Sequence, residues 1–292
     1  MTGVTSAGDE RASGSIRATL GEGTVRIIGW DAAVDPRNTA LSLVRYDAPG
    51  ELNHSSREGR RTAVVEAHVA PQNNEELVGT VVGWLGGEVP TLLCVDAPLG
   101  WPHRMPVMLA DHLAGDGISV TADELFRRIT DIDVRRRVGK TPLDVGADRI
   151  ARTALATLNA LDSIRAQGER RIDAVTDIRD PRRDAQTVLL LESYPAGWFA
   201  SEGVATRGYR PPAAKDQRRD LLSLVEDRLA VSGITLTVRP ERSVLLRRAD
   251  DLDAFVCTLN GIDYLLGRCP APGAAAREVA RREGWIWCKD RI

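Results

Sequence analysis

Val25-Arg26-Ile27-Ile28-Gly29-Trp30-Asp31 is a short β-branched run that ends in a carboxylate and stops. Its residue types and length are those of a buried strand, and Ala32 to Asn38, with Asp35-Pro36 inside it, reads as the loop that turns the chain back. Asp31 therefore stands where a strand meets its loop. That is a place for a functional acid, and equally a place where aspartate serves as an ordinary turn residue.

Working outward, Thr39 to Tyr46 and Thr62 to Val69 are two further strand-like runs, which makes the first three strands an antiparallel meander. His68, alone in the third, reads as structural. From Asn73 the period changes to that of a helix, with Leu77, Val78, Val81, Val82 and Leu85 on one face, a cap at Asn73 or Asn74 and a stop at Gly86-Gly87. Thr91-Leu-Leu-Cys-Val-Asp96 is a continuous apolar run, as in a strand covered on both faces. A helical crossover sets it parallel to the strand before it. If it lies beside the first strand, Asp31 and Asp96 leave the sheet at the same carboxyl edge, where open α/β sheets build their sites.

Residues of about 100–185 read as a helical insertion. Pro98 to Pro102 breaks regular structure, Thr121 with Glu124 makes a capping box for a helix through about Val138, and a second helix spans Gly146 to Gln167. Arg128 and Arg135 space charge along the first of these; they could face a phosphate or form a solvated helix face. Thr187-Val-Leu-Leu-Leu-Glu192 is another buried run ending in an acid. Three such acids at one sheet edge would repel one another unless a cation or shared protons relieved them.

Lys215, one of three lysines, follows the Pro-rich loop Gly208 to Ala214 and opens a helix through about Val231. A phosphate contact and a plain surface position both fit it. Asp250 to Leu266 keeps helical spacing, with Asp250 and Asp253 three apart on one side of the first turn and Asp251 pointing elsewhere. First-turn acids also suit the helix dipole without any further role. Trp285-Ile-Trp287 reads as a short closing strand. Trp101 and Trp198 follow Asp96 and Glu192 closely, placed either to stack on bases or to pack in a lid.

Composition bounds the rest. A chain of 292 residues with 43% hydrophobic content holds a full core. Residues 1–23 lack periodicity and read as a loose leader, leaving 24–292 as one domain. No apolar run reaches the ~20 residues of a membrane span, and no signal core precedes the first strand, so the expectation is a cytoplasmic protein with no membrane partner. Cys94, Cys257, Cys269 and Cys288 form no CxxC pair and read as buried thiols of a reducing compartment. The net charge of −2 argues against a generically basic protein. Arginines nevertheless cluster after residue 120, where a polyanion is best sought.

The order of meander, helix, parallel strands and acid-bearing last helix resembles the ribonuclease H-like fold. More narrowly, Gly29-Trp30-Asp31, Val95-Asp96-Ala97-Pro98-Leu99-Gly100, Glu192-Ser-Tyr-Pro195, the Lys215 segment and Asp250-Asp-Leu-Asp253-Ala254-Phe-Val resemble domain-of-unknown-function family 429, described as predicted nucleases. The resemblance spans about residues 25–290. It implies Asp31, Asp96, Asp250 and Asp253 as metal-binding acids, with Glu192 joining them in catalysis. The fourth strand here ends in Asp where many ribonuclease H-like relatives carry Glu, which shortens that arm.

The expectation is an α/β ribonuclease H-like domain: a mixed sheet, helices on both faces and a helical insertion. It would act on nucleic acid as a Mg2+- or Mn2+-dependent phosphodiesterase, with Lys215, Arg135, Arg128 and Trp101 binding substrate. Oxygen-only ligands suit hard cations, and two ions ~3.5–4 Å apart would need no His or Cys nucleophile. Rival readings are a non-catalytic nucleic-acid or nucleotide-binding module, a structural partner-binding protein and an actin-like phosphotransferase. The last lacks its duplicated domain and Gly-rich loops here.

Overall fold

The computed structural model describes residues 23–49, 60–146, 148–206 and 208–291. The leader expected at 1–23 lies outside them except for its last residue. Strand β1 (Gly23–Asp31) is followed by β2 (Ala40–Ala48), β3 (Arg61–Val69), helix α1 (Asn74–Leu85) and β4 (Thr91–Asp96). Then come α2 (Met105–Leu109), α3 (Ala122–Phe126), α4 (Ile129–Val138), α5 (Asp148–Gln167), β5 (Arg171–Ala174), β6 (Thr187–Glu192) and α6 (Pro195–Ser201). The chain closes with α7 (Lys215–Val231), β7 (Ile234–Val238), α8 (Ala249–Leu265) and α9 (Ala274–Glu283).

The strands form one seven-stranded sheet in the order β5-β6-β4-β1-β2-β3-β7. The meander β1–β2–β3 is antiparallel, while β4, β6, β5 and β7 join in parallel. The fold is thus α/β with a mixed sheet, consistent with a ribonuclease H-like architecture. Alternation along the strands splits the interior in two. On one face Val25, Ile27, Leu92, Cys94, Leu189 and Leu191 pack with α6, α7 and α8. On the other, Ile28, Trp30, Leu93, Val95, Val188 and Leu190 meet α1 and α5.

The tightest seam is between β1 and α8. A Cβ on Gly29 would stand 2.1 Å from the Ala254 carbonyl oxygen and 2.7 Å from Thr258 Cγ2, and one on Gly261 would stand 2.7 Å from Ile27 Cγ2. Only glycine lets the helix lie this close to the strand. Because Ala254 follows Asp253, this contact also sets where Asp253 sits relative to Asp31. Gly29→Ala is expected to cost about 3 kcal/mol in urea unfolding, the upper range for overpacking against atoms that cannot move aside. A cost near zero would mean that the seam is loose.

Three expected elements differ. The single helix over 121–138 is two, α3 and α4, broken at Arg127-Arg128. Arg128 takes an extended conformation and its N–H donates to Asp131 Oδ2 at 2.9 Å, starting a new helix. The insertion is not wholly helical, since it returns to the sheet as edge strand β5. Trp285 to Trp287 makes only an isolated bridge between Ile286 and Glu192. Among the described residues no helix is long and apolar enough to cross a membrane. All four cysteines are free and buried.

Candidate active site

The parallel pairing of β1 with β4 puts Asp31 opposite Asp96 at the carboxyl edge, where the strands end and both side chains leave on the face covered by α8. Asp253, fully buried in the first turns of α8, comes to the same place across the Gly29 seam. Asp250, one turn earlier, is half-buried at the rim. The acids do not share a role along that turn. Asp251 accepts from the Arg248 backbone N–H at 2.9 Å, from Arg248 Nη2 at 3.1 Å and pairs with His68 Nε2 at 3.0 Å. It caps the helix and anchors it to β3. His68 is structural, its other nitrogen 2.8 Å from Ser42 Oγ.

The electrostatics of the three inner acids are those of an under-compensated cluster. Burial, then the charges of Asp253, Asp96 and Asp250, push the Asp31 carboxyl well above its ordinary range, against a downward pull from Arg210. Burial and Asp253 raise Asp96 to about 8, with Arg210 opposing and Glu192 adding. Burial raises Asp253 to about 7, with Arg210 and the Tyr209 hydroxyl pulling down and Asp250 pushing up. Asp250 is raised chiefly by its own burial and held back by Arg248. With all of these groups ionised the cluster repels itself, and added positive charge would relieve it.

A carboxyl raised in the folded state stabilises the protein below its unfolded value near 3.8, and that contribution is lost as pH rises through the folded value. Relative to an Asp96→Asn variant, the apo wild type is therefore expected to lose stability steadily between about pH 4 and pH 8. Urea denaturation at pH 4.5, 6 and 8.5 (values roughly bracketing that window) measures it. A wild-type stability that, relative to Asp96→Asn, stays flat or rises with pH would refute the strained cluster.

Tyr209 and Arg210, which sequence reasoning missed, close the site from above. The Tyr209 hydroxyl donates toward both Asp253 oxygens at 2.8 and 2.9 Å. Arg210 Nη2 lies 3.4 Å from Asp253 Oδ2, and its guanidinium stands 5.6 Å from the Tyr209 ring centroid. Their loop is clamped by Arg218 of α7, a buried guanidinium that donates to the carbonyls of Tyr209, Pro211, Pro212, Leu246 and Arg247. Only the composition of Gly208-Tyr-Arg-Pro-Pro212 hints at this, an aromatic and a cation inside a Gly- and Pro-rich loop.

Glu192 stands apart. Its register partner on β4 is Val95, not Asp96, so strand alternation directs its side chain to the other face. There Arg128 forks onto it, Nη1 to Oε2 at 2.8 Å and Nη2 to Oε1 at 2.7 Å, while holding Asp131 at 2.8 Å. Arg128 is 1% exposed and occupied on every side, so it is not the phosphate contact its sequence position suggested. Trp198 is likewise buried, its indole N–H on Asp263 at 2.9 Å, and offers no stacking face. Lys215 and Arg135 are exposed, Arg135 with Asp123 at 3.6 Å. Trp101 is half-exposed in the loop after β4.

The donor set of Asp31, Asp96, Asp253 and Asp250 is all oxygen, anionic and short of counter-charge, which fits a hard divalent cation. Among the described residues no group of three His, Cys, Asp or Glu side chains stands in ready-made ligand geometry.

The chain belongs to a family described as protein of unknown function, DUF429, which matches residues 9–277. No curated protein and no solved structure matches it.

Proposed function

We propose that this member of DUF429 is a divalent-metal-dependent phosphodiesterase acting on nucleic acid, with Asp31, Asp96 and Asp253 holding Mg2+ or Mn2+ and Asp250 completing the rim. The observation that carries the reading is the convergence of carboxylates from two adjacent parallel strands and one helix at a single sheet edge, with Arg210 as their main counter-charge. When bound, the ion would supply Lewis-acid charge and an activated water.

The residues supply placement. The β1–β4 register fixes Asp31 against Asp96, and the Tyr209 hydroxyl orients both oxygens of Asp253. Half-exposed Trp101 and the exposed Lys215 and Arg135 are the side chains we assign to the polyanion, on their exposure and chemistry. The buried thiols fit a reducing compartment, and we place the protein in the cytoplasm on that ground.

The test is twofold. Millimolar Mn2+ should raise the melting temperature by binding the native state alone, and a panel of single-stranded, duplex and branched DNA and RNA should reveal Mn2+-dependent cleavage. Binding of nucleic acid with neither a metal shift nor cleavage would favour the non-catalytic binding module, a reading to which the lack of a preformed ligand cage lends weight.

A further inference from the structure

Arg210 is placed unlike the other arginines around the site. Arg128 and Arg218 are buried and fully engaged, and Arg248 serves the α8 cap. The side chain of Arg210 is 66% exposed, yet its tip reaches the fully buried Asp253, and its charge is felt by Asp31 and Asp96 as well. Its one polar contact among the described residues is long, at 3.4 Å, and the loop beneath is held by Arg218 rather than by Arg210 itself. Releasing this guanidinium would therefore cost little in loop packing. It sits on a loop clamped by hydrogen bonds, with a mostly exposed charged end over an anionic site.

We propose that Arg210 is the resident counter-cation of the carboxylate cluster, that a divalent cation displaces it from Asp253, and that the freed guanidinium then holds a phosphate of the substrate. Two cations cannot share one carboxylate without repulsion, so each weakens the other's hold on Asp253, and the coupling is reciprocal. Once turned from Asp253, the guanidinium has five donors on the solvent side of the site. Its planar fork matches two phosphate oxygens. The Tyr209 ring stands 5.6 Å from it, within cation–π range.

The inference rests on the metal reading of this site, and its test separates the two. Mn2+ affinity is measured by titration calorimetry on wild type, Arg210→Gln and Arg210→Lys. Binding of a phosphorothioate single-stranded oligonucleotide, which resists cutting, is then measured by anisotropy at saturating Mn2+. Arg210→Gln should bind Mn2+ about threefold to tenfold more tightly, the scale of losing one partly exposed competing charge, and bind the oligonucleotide more weakly by a similar factor. Arg210→Lys should stay near wild type for the metal. A packing role would not move the two affinities in opposite directions. Unchanged Mn2+ affinity in Arg210→Gln, with clear binding by wild type, overturns the displacement and leaves the metal site standing. Tighter Mn2+ with unchanged oligonucleotide binding overturns the phosphate half. Mn2+ binding by neither protein overturns both this inference and the metal site.

Discussion

Asp31→Asn is expected to reduce Mn2+-dependent cleavage of any nucleic acid the wild type cuts by on the order of a hundredfold or more, the scale on which the loss of one preorganised charged group is felt in an active site. The substitution keeps shape and removes charge. In the apo protein it removes a carboxyl that burial, then Asp253, Asp96 and Asp250, push up, so the urea midpoint at pH 8 should hold or rise. The Mn2+-induced rise in melting temperature should shrink in parallel with activity. This pairing of lost function with kept or gained stability is the signature of a strained site rather than a structural acid. An apo protein made clearly less stable, with its metal response intact, would instead make Asp31 a structural residue at the end of β1. Undiminished cleavage would move the chemistry elsewhere.

The main lines of the fold were legible because they rest on period and composition. The β-branched run into Asp31, the apolar run into Asp96 and the helical spacing from Leu252 to Leu266 each name an element. The crossover through α1 sets β4 parallel to β1, and the structure pairs the two. Proximity of Asp31 and Asp96 follows from that pairing alone. Ile234, Leu236 and Val238 also alternate with threonines, a strand signal easily lost in five residues between two long helices. β5 carries almost none, because Arg171 and Asp173 occupy half of a four-residue edge.

What could not be read was register and long-range partnership. Asp96 and Glu192 both end apolar runs, and nothing local shows that β6 is offset so that Glu192 faces Val95. One residue of offset decides whether an acid joins the site or the opposite face. Tyr209 and Arg210 come to Asp253 from more than forty positions away on a loop without periodicity. Arg128 has the sequence look of one more surface arginine on a charged helix. Its inward turn depends on Glu192 and on the Glu283 carbonyl, both far along the chain.

That inward turn carries the largest stability effect expected in the molecule. Arg128→Met should lower the unfolding free energy by about 3–5 kcal/mol, because it leaves two buried carboxylates, Glu192 and Asp131, without the charge that compensates them. The same guanidinium donates to the Glu283 carbonyl at 3.0 Å, and the Glu283 carboxylate accepts from the Ile129 N–H at 2.7 Å and the His103 N–H at 2.8 Å. The loss would therefore loosen α4, α9 and the loop after Trp101 together. Burial already pushes the Glu192 carboxyl up while Arg128 pulls it back, so without Arg128 it should take a proton, and the destabilisation should ease as pH falls toward 5. Adding Glu192→Gln should recover part of the loss, since a neutral amide is less costly to bury than an unpaired carboxylate. Denaturant unfolding of both single variants and the double variant closes the cycle. A single-variant loss below about 1 kcal/mol would mean that water reaches the network and compensates the two carboxylates in place of Arg128.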